Sequence, residues 1–302
     1  MTGGSAGQLC QNWPRHSLWA RVGREWFVNK QSVTTSDGVT IAYLEIGNPD
    51  GPPIALCHGI CASGRQFEAD AEHFAAAGYR VLVPDLRAHG ASAAPDVEAG
   101  DFSIDRMAED MEAMLAAAGV ARVHWLGNSL GGIVGLGMMR RNPDRFLSFA
   151  TFGTVYRMGL PSASPALLPL LYRTMGKSVL SRLTGAMTTS NPAAQRLIAS
   201  MIAAFDPGPG ERVAQAVRAY DLRAPAQQFA GPVLLIRGGK DRAVNLGLGS
   251  TFAAMAGHRD FRRIDLPEGG HCANLDAPQE MRAALDAFWR RAGARPAAAK
   301  TC

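Results

Sequence analysis

The sequence predicts an α/β protein: a mostly parallel sheet flanked by helices, with one helical insertion. Three observations predict it. Short apolar runs alternate with helix-patterned segments along most of the chain, the arrangement of parallel strands joined by crossover helices. A serine-centred turn, Gly127-Asn128-Ser129-Leu130-Gly131, joins an apolar run to an apolar helical segment. One stretch, residues 155–225, breaks the alternation without a strand pattern and is far longer than an ordinary crossover.

Taken in order, residues 1–32 show no periodicity and read as an N-terminal arm carrying Trp13, Trp19 and Trp26. The core is expected over 33–154 and 226–302, and a lid over 155–225. Residues 33–35 and 39–44 are β-rich and flank Asp37-Gly38, a hairpin signal. Residues 54–57 read as a buried strand, 66–77 as a helix ending at Gly78, and 80–83 as a strand stopped by Pro84. Ser103 caps a helix over 103–118 that Gly119 closes. Residues 123–127 read as a strand and 130–141 as a helix ending before Pro143. Residues 147–152, 233–236 and 261–266 complete the strands, and 275–291 form the last helix. Within 155–225, Leu167, Leu168, Leu171, Met175, Leu180, Leu183, Met187, Ile198, Ile202 and Phe205 recur at helical spacing between prolines and glycines. That pattern predicts a lid of three or four short helices.

The 302 residues suffice for one large domain with an insertion. With 47% hydrophobic and 19% charged residues, the chain is globular rather than disordered. The net charge of +5 comes from scattered pairs such as Arg140-Arg141, Arg262-Arg263 and Arg290-Arg291. No nucleic-acid partner is expected from such a surface. Cys10, Cys57, Cys61, Cys272 and Cys302 are odd in number and irregularly spaced, so neither a disulfide framework nor a metal site is expected. The first 30 residues lack the apolar segment of a secretory signal. No apolar run reaches the ~18 residues of a membrane span. A cytoplasmic protein without a membrane partner is the expectation, as monomer or homodimer. No Gly-rich loop carries a phosphate-site lysine, so no cofactor is expected.

The chemistry is carried by the serine turn. In G-x-S-x-G, between a strand and a helix, the serine sits at the tip of a sharp turn with its hydroxyl held open. The helix N-terminus behind it favours developing negative charge. A hydroxyl is a poor nucleophile without a base to take its proton. His271 follows the last strand in Pro267-Glu268-Gly269-Gly270, and Asp241 follows the strand 233–236 in Gly238-Gly239-Lys240. All three candidate residues therefore fall at strand ends, where parallel sheets place their sites. The candidate catalytic set is Ser129 as nucleophile, His271 as base and Asp241 as the acid that orients the imidazole. An oxyanion hole needs two converging N–H groups. Leu130 follows the nucleophile, and Ile60 lies in the loop His58-Gly59-Ile60-Cys61. His58 reads as a residue shaping that loop, Asp85 as the fallback acid, His124 as a histidine inside a strand, and Asp276 as a cap for the last helix. Cys61 and Cys272 adjoin the site without standing at the turn.

These pieces resemble the α/β-hydrolase superfamily. The matching motifs are His58-Gly59, Asp85-Leu86-Arg87-Ala88-His89-Gly90, Gly127 to Gly132, Gly239-Lys240-Asp241 and Gly270-His271. With their flanking elements they span 33–292. The resemblance implies an eight-stranded, mostly parallel sheet with a helical cap between strands six and seven. Ala88 departs from the glycine usual at its position. The chain looks closest to small esterases, enol-lactonases and C–C-bond hydrolases. Ser129 stands where dehalogenases and epoxide hydrolases carry aspartate. The Gly-rich loop of many C–C hydrolases is missing. The expected activity is hydrolysis of a small to medium hydrophobic ester or lactone through an acyl-enzyme. Two alternatives stay open: cleavage of a ring-fission diketone, and a non-catalytic or slow-turnover ligand receptor.

Overall fold

The structure is a computed structural model and describes residues 28–159 and 176–293. The eight-stranded sheet has the order β1-β2-β4-β3-β5-β6-β9-β10. Its strands are β1 (Val28–Thr34), β2 (Thr40–Gly47), β3 (Pro53–Cys57), β4 (Arg80–Pro84), β5 (Val123–Asn128), β6 (Phe146–Phe152), β9 (Val233–Gly238) and β10 (Phe261–Leu266). From β4 through β10 every pairing is parallel, while β1–β2 and β2–β4 are antiparallel. The central strand β5 is buried along its whole length, as a strand covered on both faces must be.

Helices α1 (Glu68–Ala76), α2 (Ile104–Ala117), α3 (Leu130–Arg141) and α8 (Arg242–Met255) make the crossovers. Ser103 caps α2 as its position predicts, its side chain accepting from Arg106 N–H at 3.1 Å. On one face of the sheet Met107, Met111, Leu136, Phe149 and Val233 form one core. On the other, Phe67, Phe74, Leu285 and Trp289 form a second with α1 and the last helix, α10 (Pro278–Arg291). The chain runs from β3 outward to β4 and then returns to β5 on the other side of β3. Strand order therefore reverses between β3 and β5, and the crevice at such a point is where open α/β sheets bind ligands.

Three sequence expectations need correction. The sheet begins at Val28, so residues 28–32 belong to β1 and not to an arm. They are an edge strand in which no described side chain is buried, so no apolar signal marks it. The hairpin expected around Asp37-Gly38 is present, β1 and β2 pairing antiparallel across a five-residue loop between Thr34 and Thr40. Residues 155–225 are not strandless: β7 (Arg157–Gly159) and β8 (Ala219–Asp221) pair antiparallel at its base. Three-residue strands carry too few alternations to show a period. The last helical stretch is split at Ala277, before Pro278, into α9 (Ala273–Asp276) and α10.

Between β7 and β8 run α4 (Lys177–Thr188), α5 (Pro192–Ala204) and α6 (Pro207–Ala216); α7 (Arg223–Gln228) leads back to the sheet. Leu167, Leu168, Leu171 and Met175 of the expected lid, the three tryptophans of the expected arm, Cys10 and Cys302 lie outside the described residues. Among the described residues no helix is long and apolar enough to cross a membrane.

Candidate functional site

The serine turn is strained. Ser129 has φ 49° and ψ −112°, a region that costs a non-glycine residue of order 1–3 kcal/mol and persists only where its surroundings enforce it. Ser129 N–H donates to Phe152 O at 3.0 Å. Close approach accounts for the flanking glycines. A Cβ on Gly131 would lie 2.2 Å from Cys57 O, and one on Gly127 2.4 Å from Gly132 N. The elbow thus folds back on itself and against the end of β3.

His271 and Asp241 meet. His271 Nδ1 lies 2.9 Å from Asp241 Oδ2. A carboxylate only accepts, so Nδ1 carries the proton of this contact and Nε2 is the ring nitrogen outside it. Asp241 also caps α8, its Oδ1 accepting from Val244 N–H at 3.4 Å. Ser129 joins this pair through its neighbour: Asn128 Nδ2 donates to His271 O at 3.0 Å. A Cβ on Gly153 would lie 3.1 Å from His271 Cε1, and one on Gly59 3.4 Å from Ser129 Cβ. The ring backs onto the turn after β6, and the serine backs onto the loop after β3. Among the described residues Ser129 Oγ makes no hydrogen bond, to His271 or any other group. Such contacts are often long without substrate and tighten when it binds.

Of the two expected oxyanion donors, Leu130 follows the serine in the chain and Ile60 follows Gly59, whose Cβ position would lie 3.4 Å from Ser129 Cβ. Leu130 opens α3, so its N–H has no acceptor within the helix. Ile60 is oriented through its own peptide plane. Leu86 N–H donates to His58 Nε2 at 3.0 Å, so the proton of His58 sits on Nδ1. That Nδ1–H donates to Gly59 O at 2.7 Å. No peptide bond among the described residues is cis, so the Ile60 N–H points away from the carbonyl that His58 holds. Burial and the neighbouring His89 depress His58 to about 3, so it stays neutral and keeps this tautomer. Cys61 closes the turn in a left-handed conformation, φ 58°.

The remaining expectations sort as follows. Asp85 does not pair with His271: it is buried, its carboxylate accepts from Gly64 N–H at 2.7 Å and Ala91 N–H at 2.8 Å, and its Oδ1 lies 3.9 Å from His58 Nε2. Burial raises it to about 6 against those two hydrogen bonds. Asp85→Asn places an amide N–H₂ against a backbone donor. We expect a loss of about 1–3 kcal/mol in stability with kcat within a factor of two of the parent (~2, since nothing at the reacting atoms changes). Denaturant melts and initial rates on the same preparation check it. His124 is buried in β5 with Nδ1 2.8 Å from Ser148 Oγ, and burial lowers it to about 4.

Asp276 is a correction. It caps no helix; Oδ2 accepts from Gly270 N–H at 2.7 Å, and Oδ1 accepts from Thr189 Oγ1, Ser190 N–H and Asn191 N–H. It ties the turn before His271 to the α4–α5 connection, because the break at Ala277 turns its side chain away from α10. Ala88 has φ 65°, the left-handed region that explains glycine in its place elsewhere. Buried Cys57 and Cys272 and half-buried Cys61 are held protonated, all three thiols pushed up by desolvation. Cys61 and Cys272 pack against Ile198, Met201 and Ile202 of α5. That helix therefore rests on the loops of both Ile60 and His271. Among the described residues no group of three or more His, Cys, Asp or Glu side chains is placed to hold a metal ion.

Residues 52–278 match the family model of the alpha/beta hydrolase fold. The chain is 24% identical over 269 residues to 3-oxoadipate enol-lactonase 2 of Acinetobacter baylyi, covering 87% of this chain and 97% of that protein. It is 30% identical over 285 residues to the magnesium-chelatase 30 kDa subunit of Rhodobacter capsulatus, covering 87% and 91%. Among solved structures, a hydrolase from Pseudomonas aeruginosa is similar with TM-score 0.75 and 27% identity, over 86% of this chain and 98% of that one.

Proposed function

The chain belongs to the alpha/beta hydrolase family, and on that premise we propose that it is a serine hydrolase that cleaves a carboxylic ester or lactone through an acyl-enzyme. The observation that carries this is the hydrogen bond from His271 Nδ1 to Asp241 Oδ2 at 2.9 Å beside a strained serine at a helix N-terminus. Ser129 Oγ attacks the carbonyl carbon as His271 Nε2 takes its proton. The carbonyl oxygen becomes an oxyanion facing the N–H groups of Leu130 and Ile60. His271 then gives the proton to the leaving alkoxide, and water repeats the sequence on the acyl-enzyme. Asp241 holds the ring and stabilises the imidazolium that forms. Residues 155–225 act as a cap that walls the acyl or alcohol side. Apolar residues of α5 at the site loops support a hydrophobic substrate.

Rapid quenching during turnover of p-nitrophenyl acetate, followed by mass analysis, tests the reading. An acetyl group on the Ser129 peptide, decaying at the rate of acetate release, is the expected result. Turnover without that adduct overturns the acyl-enzyme. A panel of p-nitrophenyl esters, lactones and a ring-fission diketone then sets the substrate class. Fluorophosphonate labelling with no turnover of any of them marks a binding protein of the same fold.

A further inference from the structure

Gln66 lies on the short 3-10 turn Gly64–Phe67, outside every motif named above, and is 1% exposed. Its Oε1 accepts from Gly59 N–H at 3.4 Å. Its Nε2 donates to Asn128 Oδ1 at 2.9 Å and to Asn274 Oδ1 at 3.3 Å. One amide thus touches the loop of Ile60, the residue before Ser129, and the helix that follows His271. Each neighbour is tied down in turn. Asn128 Nδ2 holds Phe152 O and His271 O. Asn274 Nδ2 holds Gln66 O and Asp70 Oδ2, and Asp70 pairs with Arg282 at 2.7 Å. A buried chain of amides with every polar atom matched is rigid and admits one arrangement.

We infer that Gln66 is a positioning residue that sets the spacing between the two halves of the oxyanion hole. The inference rests on the serine-hydrolase reading. The Ile60 half hangs on Gly59, gripped by His58 at its carbonyl and by Gln66 at its N–H. The Leu130 half follows Asn128 and Ser129, and Asn128 is gripped by the same glutamine. A substrate carbonyl rests between the two halves before and after attack. Only the tetrahedral intermediate needs both N–H groups at hydrogen-bond distance. Loosening the brace therefore acts on the chemical step and leaves ground-state binding in place.

The test is Gln66→Met, close in length and unbranched, compared with the parent. Active-site labelling with a fluorophosphonate counts the competent fraction of each protein. Per labelled site, kcat on p-nitrophenyl acetate should fall about 100-fold, the loss seen when a catalytic geometry is displaced by about 1 Å. KM should stay within about threefold, because uniform binding is untouched. The inhibition constant of phenylboronic acid, which forms a tetrahedral adduct on a serine oxygen, should rise in parallel with the fall in kcat. A variant that melts earlier yet keeps the parent's kcat and boronate affinity per labelled site overturns the inference and leaves Gln66 as packing. Should Gln66→Met not fold, Gln66→Glu takes the same measurements with the same two outcomes. Glutamate keeps the acceptor toward Gly59 N–H and sets an oxygen against Asn128 Oδ1. Ser129→Ala in the same assay separates the two levels: if it keeps full turnover, the serine mechanism itself has failed, and the inference falls with it.

Discussion

Ser129→Ala is expected to lower kcat by about six orders of magnitude, the loss seen when a triad serine is removed, without unfolding the protein. The elbow enforces the backbone at 129 through Phe152 O and through the close packing of Gly127 and Gly131, and alanine keeps the same Cβ. Folding should therefore survive while the attacking atom is gone. A fluorophosphonate should label Ser129 in the parent and nothing in the variant. Equal labelling of the two proteins would place the nucleophile elsewhere.

Asp241→Asn is the second large effect, with kcat expected to fall about 10⁴-fold. The 2.9 Å contact with His271 Nδ1 fixes which ring nitrogen carries the proton. An amide that turns its N–H₂ toward the ring moves the proton to Nε2, where it can no longer accept from Ser129. Asparagine is as good a helix cap as aspartate, so the bond to Val244 N–H should survive and stability should change little. The contrast with Asp85→Asn is the informative part. One substitution should remove rate and spare stability, and the other the reverse. A catalytically essential Asp85 beside a dispensable Asp241 would exchange their assignments.

The site was legible where function imposes a local pattern. The elbow shows in sequence because a Cβ on Gly127 or Gly131 would collide with backbone atoms, so no side chain substitutes there. Asp241 and His271 show because strand ends in a parallel sheet converge. The loop proposed to supply the Ile60 N–H shows through His58-Gly59. Less of the surrounding structure was legible, for identifiable reasons. The edge strand from Val28 has no described side chain buried. Helix α8, which the sequence pattern does not announce, contains Gly247 and Gly249, and its helical form depends on packing of Leu248 and Met255 rather than propensity. The roles of Gln66 and Asp276 depend on partners up to 208 residues away in the chain. A lone glutamine or aspartate carries no periodic signal, and only a census of buried polar groups finds it.

The backbone at Ser129 has a consequence for anyone who selects variants by heat. Its left-handed geometry, φ 49°, is one that a residue without a Cβ adopts freely. The proposed nucleophile is therefore held in place by the rest of the fold against its own preference, and the fold is less stable for having it there. On the proposed mechanism, a protein with glycine at 129 sheds that conflict and its chemistry together. Melting temperature and catalytic competence consequently pull in opposite directions at this one position. A library sorted on thermal resistance alone enriches dead molecules there, whereas a library sorted on covalent capture of the hydroxyl retains the living ones.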